Sequence, residues 1–395
     1  MDERAGSTNL GIVGWDAYEY IVSDFERCRR FYLEQMRVPE MARLGARAAA
    51  ERGEDGALFA AGKARLVCLK PREAGSRAGR WLARHPEGVA VLSLRVRDLD
   101  FAKQRLEERG ATFVTSIVEE QDATGAPYRW LEIATPLGDV RFRFVQRSSG
   151  ALPTGFEPIE GAGGEANPNE FQVIDHVTSN FLTIGPHVAW LRDVMGFEEY
   201  WRVHFHTADI HGGQGGSGLA SIVMWDPESG VKLANNEPAA PNYEASQIYQ
   251  FVEANHGPGV QHVAFHVPKI VPTVENLKRS GIDFLSTPVT YYDMLPSRLA
   301  EKKVHNFCDN LEELKQLGIL VDGGDDRYLL QIFMVEGGVM WGEEKAGPFF
   351  YEIIQRRGAR GFGEGNFRAL FEAIERDQER RTTQAKNPYL GKVVT

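Results

Sequence analysis

Two stretches of this chain, offset by 156 residues, carry one hydrophobic pattern, and such a repeat constrains the chain to two related folding units. Residues 15–25 read Trp-Asp-Ala-Tyr-Glu-Tyr-Ile-Val-Ser-Asp-Phe, and residues 171–181 read Phe-Gln-Val-Ile-Asp-His-Val-Thr-Ser-Asn-Phe. This alignment sets His176 opposite Tyr20. Further on, Gly88-Val89-Ala90-Val91 and a helix-like run ending at Gly110-Ala111-Thr112-Phe113 match Gly259-Val260-Gln261-His262 and a run ending at Gly281-Ile282-Asp283-Phe284, at offset 171. Here His262 stands opposite Val91. Phe142-Arg143-Phe144-Val145-Gln146-Arg147 then matches Tyr351-Glu352-Ile353-Ile354-Gln355-Arg356 at offset 209, with Glu352 opposite Arg143.

At three corresponding points one half has Tyr, Val and Arg, and the other has His, His and Glu. Two histidines and a carboxylate form the facial triad that leaves iron(II) with open positions for oxygen chemistry. Taken singly, each is more often a satisfied core residue than a ligand. Together, on three expected strands of one half and absent from its sister, His176, His262 and Glu352 are the candidate metal ligands. Glu352 follows Phe349-Phe350-Tyr351 and precedes Ile353-Ile354. A carboxylate in so apolar a strand is costly to bury unless it is paired or metal-bound. The set contains no cysteine, which argues against a structural zinc cage, although zinc on two His and a Glu remains chemically open.

The length of 395 residues suits two domains better than one core. The net charge of −10, with no cluster of Lys and Arg among aromatics, argues against a nucleic-acid partner. Cys28, Cys68 and Cys308 have no ligand-like spacing and read as buried thiols in a reducing cytoplasm. The start, Met1-Asp2-Glu3-Arg4, does not read as a secretory signal, and no apolar run is long enough to span a bilayer. A cytoplasmic protein is therefore expected.

Residues 148–170 are rich in Gly and Pro without an apolar period and read as a linker. They divide an N-terminal domain, 1–147, from a C-terminal domain, 171–395. In the second half, strands are expected at Val173 to Val177, Gly218 to Trp225, Gly230 to Leu233, Gln261 to Val267, Tyr328 to Met334 and Phe349 to Gln355. Helices are expected at Gly185 to Val194, 246–254 and Ile270 to Ser280. The fold class is α+β: two domains of paired βαβββ modules, each a curved mixed sheet open on its concave face. Phe367, Leu370, Phe371 and Ile374 follow helical spacing, so an amphipathic helix of about 366–382, N-capped by Asn366, is expected over the mouth of the cup. His204, His206 and His211 have no carboxylate at a corresponding repeat position and read as loop or strand-face residues. His256 lies in a turn, and His266 faces a strand end.

The segments Ile174-Asp175-His176-Val177, Gly257-Pro258-Gly259-Val260-Gln261-His262-Val263-Ala264, Tyr328-Leu329-Leu330-Gln331-Ile332-Phe333, Phe349 through Arg356 and Gly361-Phe362-Gly363-Glu364-Gly365-Asn366-Phe367 resemble the 4-hydroxyphenylpyruvate dioxygenase family. The resemblance covers the second half almost throughout and is weaker in the first. It implies a two-domain vicinal oxygen chelate fold and a non-haem Fe(II) centre. It also implies conversion of 4-hydroxyphenylpyruvate and O2 to homogentisate and CO2, as in tyrosine catabolism. Decarboxylation, ring hydroxylation and side-chain migration would occur with no separate 2-oxoglutarate. Carried over position by position, it implies a substrate pocket of Ser221, Asn236, Gln247, Gln261 and Gln331. Phe333, Phe350, Phe362 and Phe367 would form an aromatic wall. The amides and hydroxyl suit a phenol without adding charge, and paired aromatics suit a phenyl ring. For each Phe the alternative is ordinary core, and for Gln247 a helix-surface residue. By analogy with the family, a homo-oligomer formed through the first half is also expected.

Two departures bear on the substrate. Ala234-Asn235-Asn236-Glu237-Pro238 stands where the family usually has Pro-Leu-Asn-Glu-Pro, and residues 334–347 form a longer connection than usual. Three other functions compete: 4-hydroxymandelate synthase, which oxidises the benzylic carbon; a non-redox metal-dependent lyase or isomerase; and a protein that only sequesters a ligand. Glu352 counts against the last of these.

Overall fold

The computed structural model describes residues 9–162, 167–206, 218–240, 243–363 and 365–366. The first nine strands are β1 (Ile12–Ile21), β2 (Glu40–Leu44), β3 (Glu54–Ala61), β4 (Ala64–Pro71), β5 (Gly88–Val96), β6 (Val118–Gln121), β7 (Pro127–Ala134), β8 (Arg141–Arg147) and β9 (Phe156–Pro158). They form one sheet in the order β6-β7-β8-β5-β1-β4-β3-β2-β9. The remaining strands are β10 (Val173–Asn180), β11 (Glu198–His206), β12 (Gly218–Trp225), β13 (Lys232–Pro238), β14 (Gly259–His266), β15 (Leu320–Gly324), β16 (Arg327–Phe333) and β17 (Phe350–Arg357). Their order is β11-β12-β13-β10-β14-β17-β16-β15. The first eight strands of one sheet thus correspond to the eight of the other. β9 lies within the expected linker and extends the first sheet by pairing with β2.

Local chemistry accounts for the elements. β14 lies between β10 and β17 and is buried from Gly259 through Phe265, so it reads as an apolar run interrupted by Gln261 and His262. The helix Ile270–Arg279 buries Ile270, Val274 and Leu277, an i, i+4, i+7 stripe. The helix Gln247–Ala254 starts at Ser246, whose hydroxyl accepts from the Ile248 N–H. Val289–Glu301 and Leu311–Leu317 are further helices that the sequence pattern missed. No helix among the described residues is long and apolar enough to cross a membrane.

The ladders correct one pairing of the repeat. Register shifts in β1 fall between Trp15 and Ala17 and between Glu19 and Tyr20; those in β10 fall between Ile174 and His176 and between Thr178 and Ser179. They coincide only when Ala17, not Tyr20, is matched to His176. The flanking ladders agree, since Glu19 pairs with Val91 and Val67 while Thr178 pairs with His262 and Ala234. The matches of Val91 with His262 and Arg143 with Glu352 stand, because Ser93 pairs with Arg143 as Ala264 pairs with Glu352. Ala17, Val91 and Arg143 therefore occupy the first-half counterparts of the triad.

A further correction concerns the cysteines. Cys28 and Cys68 are buried neighbours, but Cys308 is exposed. The halves meet through Tyr351, whose hydroxyl bonds to those of Tyr18, at 2.8 Å, and Tyr32. The long 334–347 connection also belongs to this junction. It contains the short helix Gly337–Trp341; Trp341 packs edge-on against Phe31, and Glu343 pairs with Arg27 at 2.8 Å. The extra length clasps the first half.

Candidate metal centre

His176, His262 and Glu352 come from β10, β14 and β17, three adjacent strands at the centre of the second sheet. His176 is paired with Ala264, and Ala264 with Glu352, while His262 lies two residues before Ala264 on the same face. All three side chains are buried. His176 Nε2 and His262 Nε2 lie 3.2 and 3.3 Å from the same oxygen of Glu352. One ligand atom from each falls within 4.8 Å of the others, a grouping suited to a single metal ion.

Each histidine is aimed by the residue before it. Asp175 takes the Nδ1 of His176 at 2.9 Å, and the Gln261 amide oxygen takes the Nδ1 of His262 at 3.1 Å. With Nδ1 donating, the Nε2 lone pair is left for a metal, as in the carboxylate–histidine arrangement of metal sites. Asp175 is fixed in turn by Arg356, whose Nε and Nη2 reach its two oxygens at 2.7 and 2.6 Å. Burial alone pushes the Asp175 carboxyl up, but Arg356 and His176 bring it well below the usual range. Burial likewise opposes ionisation of Glu352, yet the two histidines hold it down at about 2. Burial pushes His262 down; it pushes His176 down too, but Glu352 and Asp175 override it and raise that imidazole. The site is thus an ionised carboxylate between two aimed imidazoles, a donor set that fits a divalent cation.

Aromatic rings enclose it. Phe350 stacks on His262 with centroids 5.0 Å apart, Phe333 meets His262 edge-on at 5.9 Å, and Phe362 meets His176 edge-on at 4.9 Å. Arg356 donates to the Ala359 and Gly361 carbonyls and lies over the Phe362 ring, so the cation that braces Asp175 also seats Phe362.

Comparison with known proteins agrees with this geometry. The model of the Glyoxalase/Bleomycin resistance protein/Dioxygenase superfamily matches residues 14–126 and 173–294. A 4-hydroxyphenylpyruvate dioxygenase of Caenorhabditis briggsae is 35% identical over 316 residues, covering 77% of this chain and 76% of the relative. That of Pseudomonas aeruginosa is 34% identical over 306 residues, covering 75% and 77%. The chain belongs to the 4-hydroxyphenylpyruvate dioxygenase family. Among solved structures, a triple mutant of 4-hydroxymandelate synthase from Streptomyces coelicolor superposes with a TM-score of 0.78 at 25% identity, covering 93% of this chain and 99% of that one.

Other residues singled out in the sequence of this dioxygenase-family chain fall as follows. Ser221 on β12 pairs with Asn236 on β13, and Asn236 pairs with Asn180 on β10. Asn180 shares the face of His176 and Thr178. The Asn236 amide donates to Asn180 at 3.1 Å. Ser221 Oγ, Asn236 Oδ1, Asn180 Nδ2 and Gln331 Oε1 are buried without partners. A row of unpartnered polar atoms in a buried face is what a polar ligand would satisfy. Gln247 is buried at the first turn of its helix, so it is not a helix-surface residue. Gln261 directs its amide oxygen to His262, leaving only its N–H2 for a ligand. Phe367 and the expected helix beyond it lie outside the described residues.

Sequence reasoning missed Asp175, Arg356 and Asn180, although strand alternation from His176 and Glu352 would have found Asn180. Ala234 packs with Val223 and Phe362 on the metal face, whereas Asn235 faces the opposite side and donates to the Ile222 and Leu233 carbonyls. Of the two changes in the Pro-Leu-Asn-Glu-Pro segment, only that at Ala234 points toward the pocket. His204 is exposed on the edge strand β11, consistent with a strand-face residue.

Proposed function

We propose that this chain is an iron(II) dioxygenase that converts 4-hydroxyphenylpyruvate and O2 to homogentisate and CO2. The observation that carries the proposal is the convergence of His176, His262 and Glu352 from three adjacent strands, with both Nε2 atoms on one carboxylate oxygen. In this reading residues 171–395 form the catalytic domain, residues 1–147 a metal-free sister and residues 148–170 the connection. Iron(II) held by His176, His262 and Glu352 would supply binding of the 2-oxo acid and activation of O2.

The protein's own groups do the rest. Asp175 and Gln261 keep Nδ1 protonated and both imidazoles aimed. Ser221, Asn180, Asn236 and Gln331 present buried polar atoms suited to a phenol and its ring edge. Phe333, Phe350 and Phe362 bracket the ring and exclude water, which strengthens every polar contact inside. Gln247, buried in the first turn of its helix, would add its amide to the polar set.

The test is one aerobic incubation of protein, iron(II), ascorbate and 4-hydroxyphenylpyruvate, with the product identified by mass. Homogentisate is the expected product. Hydroxymandelate would retain the metal site and move the oxidation to the benzylic carbon, directing attention to Ala234. No oxygen uptake with any aryl pyruvate would overturn the proposal.

A further inference from the structure

A cleft apart from the metal face lies between the two halves, with a volume of about 660 Å3. That volume falls in the range of small-molecule sites. The first half contributes Trp15 from β1, Lys63 and Arg65 from the β3–β4 hairpin, Arg95 from β5 and Arg147 from β8. The second half contributes Asp175 from β10 and Lys232 from β13.

The charge of this cleft opposes that of the whole molecule, which is −10. Arg147 is held by Asp16 at 2.6 Å, and Arg65 lies 3.6 Å from the same carboxylate. Asp175, the carboxylate on the cleft wall, is already committed to Arg356 and His176. The side chains of Lys63, Arg95 and Lys232 line the cleft without an ion pair or side-chain hydrogen bond among the described residues, although Lys232 feels the attraction of Asp175. Burial pushes Lys232 and Arg65 below their ordinary ranges, as expected of cations lacking a full complement of counter-charge. A cleft lined by one sign of charge focuses its field and concentrates counter-ions. The walls are also apolar, through Met41, Leu58, Leu152 and Ile174. The Trp15 indole lies among them, and its N–H is buried with no acceptor. Cationic side chains in excess of their counter-charge and an apolar lining together call for one kind of occupant.

We propose that the cleft between the halves is a second binding site, for a small organic anion that carries a carboxylate or phosphate on an apolar body. The anion meets Arg95, Lys232 and Lys63, and its body lies against Trp15 and the aliphatic wall. The site shares one wall residue with the metal centre, Asp175, whose carboxylate braces His176.

The test is calorimetric titration of the full-length, iron-loaded protein at low salt with phenylacetate and, separately, with phenyl phosphate. Neither probe has the 2-oxo acid needed to chelate a metal. Saturable binding of at least one is expected, and which one binds identifies the group preferred. Binding should persist in Glu352→Ala, weaken by about ten-fold or more in the Arg95→Ser/Lys232→Met double variant, and fall with added salt. Lys63 is exposed, so Lys63→Glu keeps the fold, and it should weaken binding several-fold. No binding of either probe up to about 10 mM would overturn the proposal. So would loss of binding in Glu352→Ala, which would assign it to the metal face, or unchanged affinity in both cleft variants.

Discussion

Replacing Arg143 with Met should destabilise the protein by about 3–5 kcal/mol, the range for removing one partner of a buried ion pair, and leave metal content unchanged. Arg143 occupies in the first half the ladder position that Glu352 occupies in the second. Its guanidinium bonds to Glu19 and reaches Glu132 at 2.6 and 3.0 Å, and the two carboxylates are only 7% and 3% exposed. Burial alone would raise the Glu132 carboxyl; Arg143 and Arg77 bring it instead to about 2, against an ordinary 4.5. At 1.36 kcal/mol per unit this shift corresponds to about 3 kcal/mol of native-state stability. Methionine replaces the aliphatic stem but leaves Glu19 and Glu132 facing one another. Arg77, 2.9 Å from Glu19, and Arg141, 3.1 Å from Glu132, remain and are partly exposed, which favours the lower end of the range.

The sign with pH follows from the same groups. In the wild type the folded Glu132 lies below its unfolded value, so its contribution is complete above about pH 4.5 and is lost as pH falls toward 2. In the Met variant the uncompensated carboxyls rise above their unfolded value and take up protons first in the native state. The stability gap between the two proteins is therefore widest near neutral pH and narrows as pH falls below about 5. Urea unfolding followed by circular dichroism at pH 7.5 and 4.5 measures it. Adding Glu19→Gln and Glu132→Gln to Arg143→Met should recover much of the loss. A cost below about 1 kcal/mol at neutral pH, or a gap of equal size at both pH values, would refute the reasoning.

Asp175→Asn should weaken iron binding by about 10–100-fold, measured by chelator competition, because the amide cannot replace the charge that holds His176 Nδ1; unchanged affinity would make Asp175 a partner of Arg356 alone. Gly363→Ala should lower turnover while leaving iron affinity intact. Gly363 has φ of 75°, and a Cβ there would lie 2.7 Å from Gln331 Oε1, so wild-type kinetics would remove Gln331 from the substrate contacts. Tyr351→Phe should cost about 1–2 kcal/mol in thermal or urea unfolding, since it deprives the buried Tyr18 and Tyr32 hydroxyls of their shared partner across the halves.

Much of the site was legible because ligands on a repeat have somewhere to be compared. Val91 against His262 and Arg143 against Glu352 hold in the ladders, and they were found from flanking glycines and apolar residues that occupy the same places in both sheets. The first pairing slipped by three residues for a physical reason. Ser23-Asp24-Phe25 and Ser179-Asn180-Phe181 look alike, but the register of β1 and β10 is set by bulges, and a bulge leaves no signature in apolar spacing. The helices Val289–Glu301 and Leu311–Leu317 have no counterpart in the first half, so the repeat could not reveal them. Asp175 and Arg356 were visible as letters, but their pairing spans 181 positions and depends on β10 and β17 flanking β14.

The corrected register shows what the first half kept when it carried no ligands. Its cup has Ala17 and Val91 where the other has imidazoles, and a guanidinium where the other has a carboxylate. The carboxylates have moved one step along the same face: Glu19 stands at the position of Thr178, and Glu132 pairs with Arg143 as Phe333 pairs with Glu352. In one sheet a cation would be supplied from outside to a carboxylate and two imidazoles; in the other it is supplied by Arg143 to two carboxylates. Both arrangements would place a positive charge at the centre of a concave face, and only a bound metal ion would offer coordination positions to a substrate. A guanidinium offers five N–H donors and no lone pair, so at this position Arg143 satisfies the carboxylates without providing a metal ligand. It follows that removing Arg143 should not create a metal site even where the fold survives. Glu19 and Glu132 alone offer oxygen donors without an imidazole, and Arg77 and Arg141 would compete for them.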